Sequence, residues 1–309
     1  MLSMLKTWSS SKSIKALFIV ATLWSCTGVQ AQNPKEEPMV YQLQSDGQEW
    51  SPVLDGNLKL RLSASQAEVF VNYLVWDMIQ LGLLRLYTPI GNYFQGSELT
   101  GFDSINLEHL MTHTSGYPEG SDRTYLGQSD PKDYARPGEK YQPCPLNRYL
   151  IDKIMSIRGG RSQAKWFEEK MIVLGLNDTK LKSNGSIETT VKDLGIWLKR
   201  WLDKDLLPKE LIQYFFKPQV QSEGKLYSYG WEITAANQLL SWQEGEPIAL
   251  VIDANTNKAL FISGVKDINR DQLLNLVNEH VETTSFRVWH LVFLLPLLLI
   301  VLLRKRKNK

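Results

Sequence analysis

The chain has 309 residues, enough for a large core, and carries 35 Lys and Arg against 33 Asp and Glu. Three of the cations lie before residue 33 and five after residue 303, so 27 remain against the 33 anions in the main part of the chain. This mildly acidic balance argues against a nucleic-acid partner. Cys144 is the one thiol after residue 32, which excludes an internal disulfide and a cysteine-based metal site there. No cofactor or metal is expected.

The two ends of the chain have the composition of targeting segments. Residues 1–32 combine three lysines, an apolar run and a small-residue pattern at Val29–Ala31, which predicts a signal peptide or, as the alternative, an uncleaved anchor. Val288–Leu303 is almost entirely apolar and precedes the basic residues 304–309, which predicts a transmembrane helix over 286–303 with a cytoplasmic tail. A buried C-terminal helix is the alternative. We therefore expect a single-pass membrane protein whose main domain is periplasmic or exposed at the cell surface.

A polar linker over 33–39 precedes one predicted domain over 40–283. Val40–Leu43 and Leu58–Leu62 have strand character, and the turn residues Asp55–Asn57 precede the second of these strands. Apolar residues at helical spacing then predict a helix over Ser65–Leu84. The domain thus begins with strands and continues with a long helix.

The rest of the domain is predicted to be helical first and then rich in strands. A short helix over Leu107–Met111 precedes an irregular region over 121–141. Further helices are predicted at Leu146–Ile157, Ser162–Met171, Thr189–Asp203 and Leu211–Phe216. Strands follow at Tyr229–Thr234, Ala249–Asp253 and Lys258–Ser263, before a closing helix over Asp271–Val281. Strands at both ends with helices between them predict an α+β architecture.

The stretch Ile105–Pro118 reads I-N-L-E-H-L-M-T-H-T-S-G-Y-P and resembles the I-T-x-x-H-L-L-T-H-T-S-G-L-P segment of serine β-lactamase-related proteins. That family includes class C β-lactamases, penicillin-binding proteins, DD-peptidases and related esterases. Weaker matches follow in family order at Gln80–Leu86, Pro137–Gly138, Val173–Thr179, Ser186–Leu194 and Tyr229–Trp231. The resemblance covers about residues 40 to 283. It implies a β-lactamase/transpeptidase-like fold with an antiparallel sheet from both chain ends and a helical middle, in which His113, Ser115 and Gly116 are structural.

The resemblance also implies acyl transfer through an activated serine, whose first motif is S-x-x-K at a helix start. A spacing of three places serine and lysine on one helical face, so that the amine can take the hydroxyl proton. The matching tetrad is Ser63–Gln66, in which the serine is present and Gln66 replaces the lysine. A glutamine amide has no usable basic site, and general-base assistance is worth roughly 10²–10⁴-fold.

The other two catalytic motifs are also altered. The place of Y-x-N holds Pro143–Pro145, which supplies neither the tyrosine nor the asparagine. Tyr141, two residues earlier, either fills an aromatic position of the lead-in or is a displaced catalytic tyrosine. The place of K-T-G or H-x-G holds Gln243–Gly245, where Gly245 is kept as a binding residue and the cation is lost.

These replacements favour a catalytically impaired serine-hydrolase homologue that binds a cell-wall peptide, a peptide-like ligand or a protein partner in its cleft. The alternative is an active serine hydrolase of the esterase, D-amino-acid peptidase or β-lactamase type, with Ser63 as nucleophile and His113 or Tyr141 as a rearranged base. A third interpretation is that the alignment around Ser63 is wrong and the chain is a structural or assembly module.

Overall fold

An eight-stranded antiparallel sheet lies at the centre of the computed structural model, which describes residues 38–44, 49–50, 55–94, 104–126 and 135–281. Its strands are β1 (Met39–Gln44), β2 (Glu49–Trp50), β6 (Val220–Ser222), β7 (Lys225–Ser228), β8 (Trp231–Ile233), β9 (Gln238–Ser241), β10 (Ile248–Asp253) and β11 (Lys258–Ser263). Their spatial order is β2-β1-β11-β10-β9-β8-β7-β6. Because β1 pairs with β11, the sheet combines strands from the two ends of the domain.

The helices occupy the middle and the end of the described chain. They are α1 (Glu68–Gln80), α2 (Leu107–Met111), α3 (Pro145–Gly159), α4 (Gln163–Leu174), α5 (Val191–Asp203), α6 (Lys209–Phe215) and α7 (270–281), with 3-10 turns at Ile90–Tyr93 and Arg123–Tyr125. Every residue of α1 from Val69 to Met78 is buried. Phe70 of α1 stacks on Trp197 of α5 with ring centroids 4.2 Å apart. A helix buried on all sides is a rigid support for the residues at its N-terminus.

The two faces of the large sheet pack against different helices. Along β10 and β11 the side chains alternate, so that Leu250 and Phe261 join the main core around α1 while Val251 and Leu260 join a second core. The second core is completed by α7, through apolar residues at helical spacing that include Val277. The sheet is therefore covered on both faces.

A three-stranded sheet holds the chain where it enters α1. Its strands are β3 (Lys59–Leu62), β4 (Lys180–Leu181) and β5 (Ile187–Thr190), in the order β3-β5-β4. The helix predicted from Thr189 begins two residues later, because Thr189 pairs with Leu60 in the sheet and Thr190 caps α5 by accepting from the Asp193 N–H. The α+β expectation fits this architecture.

The prediction of a transmembrane helix is corrected by the structure. No helix in the described part of the chain is long and apolar enough to cross a bilayer. The longest of them, α3, has 15 residues and reaches about 22 Å at ~1.5 Å per residue, short of the ~30 Å of a hydrocarbon core. The predicted membrane helix over 286–303, and the single-pass placement inferred from it, are wrong on this finding. The apolar run of that segment is itself short, since it could reach only about 24 Å as a helix.

Residues 286–303 lie outside the described residues, as do the predicted signal peptide 1–32 and the predicted tail 304–309. The predicted division into a linker over 33–39 and a domain over 40–283 stays a prediction. Within the described residues the first strand, β1, begins at Met39.

Candidate functional site

A cleft of about 290 Å³ opens beside the N-terminus of α1. Ser65 and Glu68 line it from the side of the helix, Tyr141 lines it from the segment before α3, and Glu244 lines it from the turn after β9. The volume is at the lower end of the range for small-molecule pockets. We take this cleft as the candidate functional site.

The turn over 63–67 sets which side chains reach the cleft. The Ala67 N–H donates to the Ser63 carbonyl at 2.9 Å and the Glu68 N–H to the Ser65 carbonyl at 3.1 Å, so that α1 begins at Glu68 rather than at Ser65 as predicted. Ser65 lines the cleft, whereas Ser63 lies beside it, with its Oγ 2.8 Å from the Ser65 Oγ and accepting from the Gln66 N–H at 3.2 Å. Ser65 is therefore the serine that faces the cleft.

Gln66 is turned toward the sheet. Its side chain is 1% exposed, and its Nε2 donates to the carbonyl oxygen of Ile248 at 2.6 Å and to that of Ser241 at 3.5 Å. Its Oε1 accepts from the Ser63 N–H at 3.3 Å. Although Gln66 borders the cleft, its amide groups bond to backbone at the end of β9 and the start of β10.

Glu68 ends a chain of hydrogen bonds that runs from the buried interior to the cleft. The Ser115 hydroxyl donates to Asn147 Oδ1 at 2.6 Å, and Asn147 Nδ2 donates to His113 Nδ1 at 3.1 Å. His113 Nε2–H donates in turn to Glu68 Oε2 at 2.8 Å. Ser115, Asn147 and His113 are 3%, 0% and 8% exposed, so the chain is shielded from solvent up to the carboxylate. Both imidazole nitrogens are used, which leaves neither free to bond Ser65.

Glu68 and His113 shift each other's protonation. Burial raises the pKa of Glu68, but the charge and hydrogen bond of His113, together with the Arg148 charge, outweigh it and hold the pKa below its ordinary value. Burial lowers the pKa of His113, and the Glu68 carboxylate more than reverses this, so that the pKa is raised. For His113 to be protonated at Nδ1, the Asn147 side-chain amide must flip so that its oxygen faces the ring, because an amide nitrogen cannot accept a hydrogen bond. The carboxylate at position 68 is thus favoured over the acid.

Arg148 of α3 lies behind Glu68. It lines a separate small cavity of about 10 Å³ together with Glu68, Asn72 and His113. Its two terminal guanidinium nitrogens are buried and have no hydrogen-bond partner among the described residues. Burial therefore lowers the pKa of Arg148, and the Glu68 charge opposes that shift. A cavity of this size is at the lower limit of the space that one water needs.

An aromatic wall forms one side of the cleft. Tyr141 stacks on Tyr227 of β7, with ring centroids 4.3 Å apart and planes within 6°, and meets His113 edge-on. The H-T-S-G segment positions this wall, because the His113 carbonyl accepts from the Gln142 N–H at 2.7 Å and the Thr114 carbonyl accepts from the Gly138 N–H at 2.7 Å. Burial, with Glu68 and Tyr227 nearby, raises the pKa of Tyr141, so its phenol keeps its proton at neutral pH.

The sheet side of the cleft carries carboxylates. Glu244 lines it in the turn after β9, and Glu246 accepts a hydrogen bond from the Ser65 hydroxyl at 3.2 Å. Glu232 of β8, 8% exposed, accepts from Arg270 Nε at 2.9 Å and also from the Arg270 Nη2. The turn contains Gly245 at φ 89°, a conformation that favours glycine.

The predicted site residues fall into two groups. Gln66, Tyr141 and His113 border the cleft, while Ser63 and Gly245 are adjacent to it without lining it. Ser115 supports it from the interior. Gly116 adopts φ 91°, where an added Cβ would meet the Ala135 carbonyl oxygen at 2.1 Å, so this position excludes a side chain.

Sequence reasoning missed Ser65, Glu68, Asn147, Arg148 and Glu246. The signal for the first two was present, since Ser65 and Glu68 have the same spacing of three as Ser63 and Gln66. No sequence motif identifies Asn147 or Arg148, because they follow Pro143–Pro145, which lacks the residues of the Y-x-N motif. In the described part of the chain, no group of three or more His, Cys, Asp or Glu is placed to hold a metal ion.

Comparison with known proteins identifies the fold. No family model and no curated protein matches the chain. Among solved structures, a β-lactamase from Mycobacterium bovis has a TM-score of 0.64 at 17% identity, over 81% of this chain and 96% of that one. A penicillin-binding protein homologue from Pyrococcus abyssi, an octamer, has a TM-score of 0.60 at 16% identity, over 82% and 73%. A D-stereospecific amidohydrolase from Streptomyces has a TM-score of 0.57 at 15% identity, over 73% and 88%.

The chain has the serine β-lactamase/transpeptidase-like fold. This agrees with the fold that the sequence resemblance implies. At these identities the likeness extends to the fold alone.

Proposed function

We propose that this chain is a serine-hydrolase homologue that binds a ligand in its cleft and has lost the proton-transfer groups needed for acyl transfer. The observation that carries the proposal is Glu68. It lies three residues after Ser65, on the cleft, where an S-x-x-K motif would place its lysine. A carboxylate with a lowered pKa stands there instead of an amine.

The other groups near Ser65 are poor bases for a serine hydroxyl. His113 is bonded through both ring nitrogens, and the Tyr141 phenol is protonated at neutral pH. Glu246 accepts the Ser65 hydrogen bond at 3.2 Å, but a carboxylate is a much weaker base than the lysine amine of an S-x-x-K motif. Ser63, the serine matched by sequence, is bonded to Ser65 and to the Gln66 backbone.

The ligand class follows from the resemblance and from the shape of the cleft. A cell-wall peptide or another peptide-like molecule is the ligand we propose, because the cleft is bounded by strand-forming backbone and by aromatic side chains. Pockets of this kind bind by burying apolar surface while a few polar groups fix the orientation.

A covalent probe tests the loss of chemistry. A fluorescent fluorophosphonate and a labelled β-lactam are each incubated with the wild type, with Ser63→Ala and with Ser65→Ala. We expect the wild type to show no labelling above a heat-denatured sample. Labelling of the wild type that disappears in either variant would overturn the proposal.

Binding is tested separately by thermal unfolding with a cell-wall stem peptide. A ligand that binds the folded state but not the unfolded chain raises the melting temperature, and the rise continues with ligand concentration. We expect a concentration-dependent rise in the wild type, and an unchanged melting temperature at saturating peptide would contradict binding of this class.

A second candidate is a hydrolase in which Ser65 and Glu246 act as a pair. The hydrogen bond of 3.2 Å from the Ser65 hydroxyl to the Glu246 carboxylate favours it. In that case probe labelling would be lost in both Ser65→Ala and Glu246→Gln and kept in Ser63→Ala. That pattern distinguishes the pair from a site built on Ser63.

A further inference from the structure

We infer that the cleft selects a ligand bearing a positively charged ammonium group, which pairs with the free oxygen of Glu68. This inference rests on the proposed function, since it concerns what the cleft binds. A peptide-like ligand presents such a group at its N-terminus or on a lysine-type side chain.

The first support is the geometry of Glu68. Its side chain is 24% exposed and lines the cleft. Oε2 accepts the hydrogen bond from His113, and Oε1 has no hydrogen-bond partner among the described residues. A carboxylate that lines a cleft and has one unpartnered oxygen can accept a hydrogen bond from a ligand, and an ammonium group has donors only.

The second support is that the carboxylate is held in place from behind. The buried chain Ser115–Asn147–His113 ends in the Nε2–H donor, which fixes the orientation of the Glu68 carboxylate. The charge of Arg148 also acts on Glu68, but Arg148 lines the small cavity behind Glu68 and not the cleft.

The third support is the distribution of charge within the cleft. Its ionic lining consists of Glu68, Glu232 and Glu244 against Lys225 and Arg270. Arg270 is bonded through two nitrogens to Glu232, so its charge is compensated. Glu246, which accepts a hydrogen bond from Ser65, adds a further carboxylate beside the cleft. An anionic ligand would therefore meet one cation, Lys225, together with three carboxylates that are not bonded to Arg270, namely Glu68, Glu244 and Glu246.

The fourth support is the aromatic wall. The stacked Tyr141 and Tyr227 rings border the same cleft as Glu68, and Trp242 borders it from the sheet side. The faces of such rings attract cations, and carboxylates combined with aromatic walls are the usual surroundings of a bound ammonium group. The combination of carboxylates and aromatic rings distinguishes this site from a surface that is only acidic.

Three probes of one shape test the inference with the full chain: benzylammonium, benzyl alcohol and benzoate, titrated calorimetrically at pH 8 and equal ionic strength. We expect benzylammonium to bind at least about tenfold more tightly than benzyl alcohol, the size of one charge-assisted hydrogen bond, and benzoate to bind most weakly. In Glu68→Gln the preference for benzylammonium over benzyl alcohol should fall about tenfold. In Glu279→Gln, an exposed residue of α7, it should be unchanged.

Glu244→Gln serves as a second variant, because Glu244 is exposed and its replacement does not disturb the buried chain behind Glu68. In this variant we expect the preference for benzylammonium over benzyl alcohol to fall by only about twofold to threefold, as is usual for a solvent-exposed charge. Any one of four outcomes would overturn the inference: equal binding of the three probes, a preference for benzoate, no binding of benzylammonium, or a full preference for benzylammonium kept in Glu68→Gln. Covalent labelling decides the proposed function independently of these results.

Discussion

Two polar side chains at the start of α1, Gln66 and Glu68, lie two residues apart in opposite situations. Gln66 is 1% exposed, and both ends of its amide bond to backbone of the turn or the sheet. Glu68 has one oxygen bonded to His113 and the other without a partner among the described residues. A polar group whose bonds are all made within the protein contributes to folding, whereas one with an open acceptor at a cleft is available to a ligand.

The difference arises from the turn over 63–67. Because α1 begins at Glu68, Gln66 lies before the first helical turn and points to the sheet, while Glu68 points to the cleft. The residue at which α1 begins therefore determines which side chain, Gln66 or Glu68, reaches the cleft. Three changes test it, in order of decreasing expected effect.

Gln66→Ala should have the largest effect on stability. It removes the side chain that bonds the Ile248 and Ser241 carbonyls and leaves a buried space, for which we expect a loss of about 3 kcal/mol in the free energy of unfolding. Urea unfolding measures it. Gln243→Ala, at an exposed position, is the matched control and should change stability by less than about 0.5 kcal/mol. A loss at Gln66 as small as that of the control would show that its amide bonds are not structural.

Asn147→Leu should have an intermediate effect. It keeps the number and branching of the side-chain heavy atoms but leaves the Ser115 hydroxyl and His113 Nδ1 without their partner, for an expected loss of about 2 kcal/mol. Nitrogen NMR of His113 should report a ring that is no longer held as the Nε2–H tautomer. Asn177→Leu, at an exposed position after α4, is the control. A fixed Nε2–H tautomer in Asn147→Leu would contradict the assigned role of the amide.

Glu68→Gln should have the smallest effect on stability, and the effect should depend on pH. The lowered pKa of Glu68 gives stabilisation that is present above its ordinary value of 4.5 and is lost as the pH falls through the folded value. The raised pKa of His113 gives stabilisation that is present below 6.5 and is lost as the pH rises through the folded value. The pair therefore contributes most between pH 4.5 and 6.5.

In Glu68→Gln the free energy of unfolding should lose about 1 to 2 kcal/mol within that window and less outside it, as expected for a hydrogen bond to a charged group. Urea unfolding at pH 4, 5.5 and 8 measures the profile. A variant whose profile runs parallel to that of the wild type would show that the two groups do not interact in the folded protein.

Much of the fold could be predicted from the sequence because its strongest patterns are local. The segment Ile105–Pro118 indicated the fold, and the long helices followed from apolar spacing. The strands β7 and β9 were missed, and in β9 the reason is that Gln238–Ser241 is buried throughout and so does not alternate. The helix α1 was predicted three residues too long at its start, because hydrogen bonds in the turn cannot be read from periodicity.

The site was less accessible to sequence reasoning. Two overlapping tetrads, Ser63–Gln66 and Ser65–Glu68, satisfy the S-x-x-K spacing without the lysine, and a motif that lacks its defining residue cannot choose between them. Only the path of the turn places Ser65 and Glu68 at the cleft. The residues that hold Glu68 in place lie on α3 and in the H-T-S-G segment. Only tertiary packing brings these two parts of the chain together.

The donors that surround Glu68 also limit how this chain can change. A lysine at position 68 would place its ammonium against the Nε2–H of His113 and near the buried guanidinium of Arg148, three donors without an acceptor among them. Building an S-x-x-K hydrolase on Ser65 would therefore require simultaneous replacement on α1, on α3 and in the H-T-S-G segment. Each of those steps taken alone disrupts the buried chain, so the present site is a local optimum that stepwise evolution or single-residue engineering cannot easily leave.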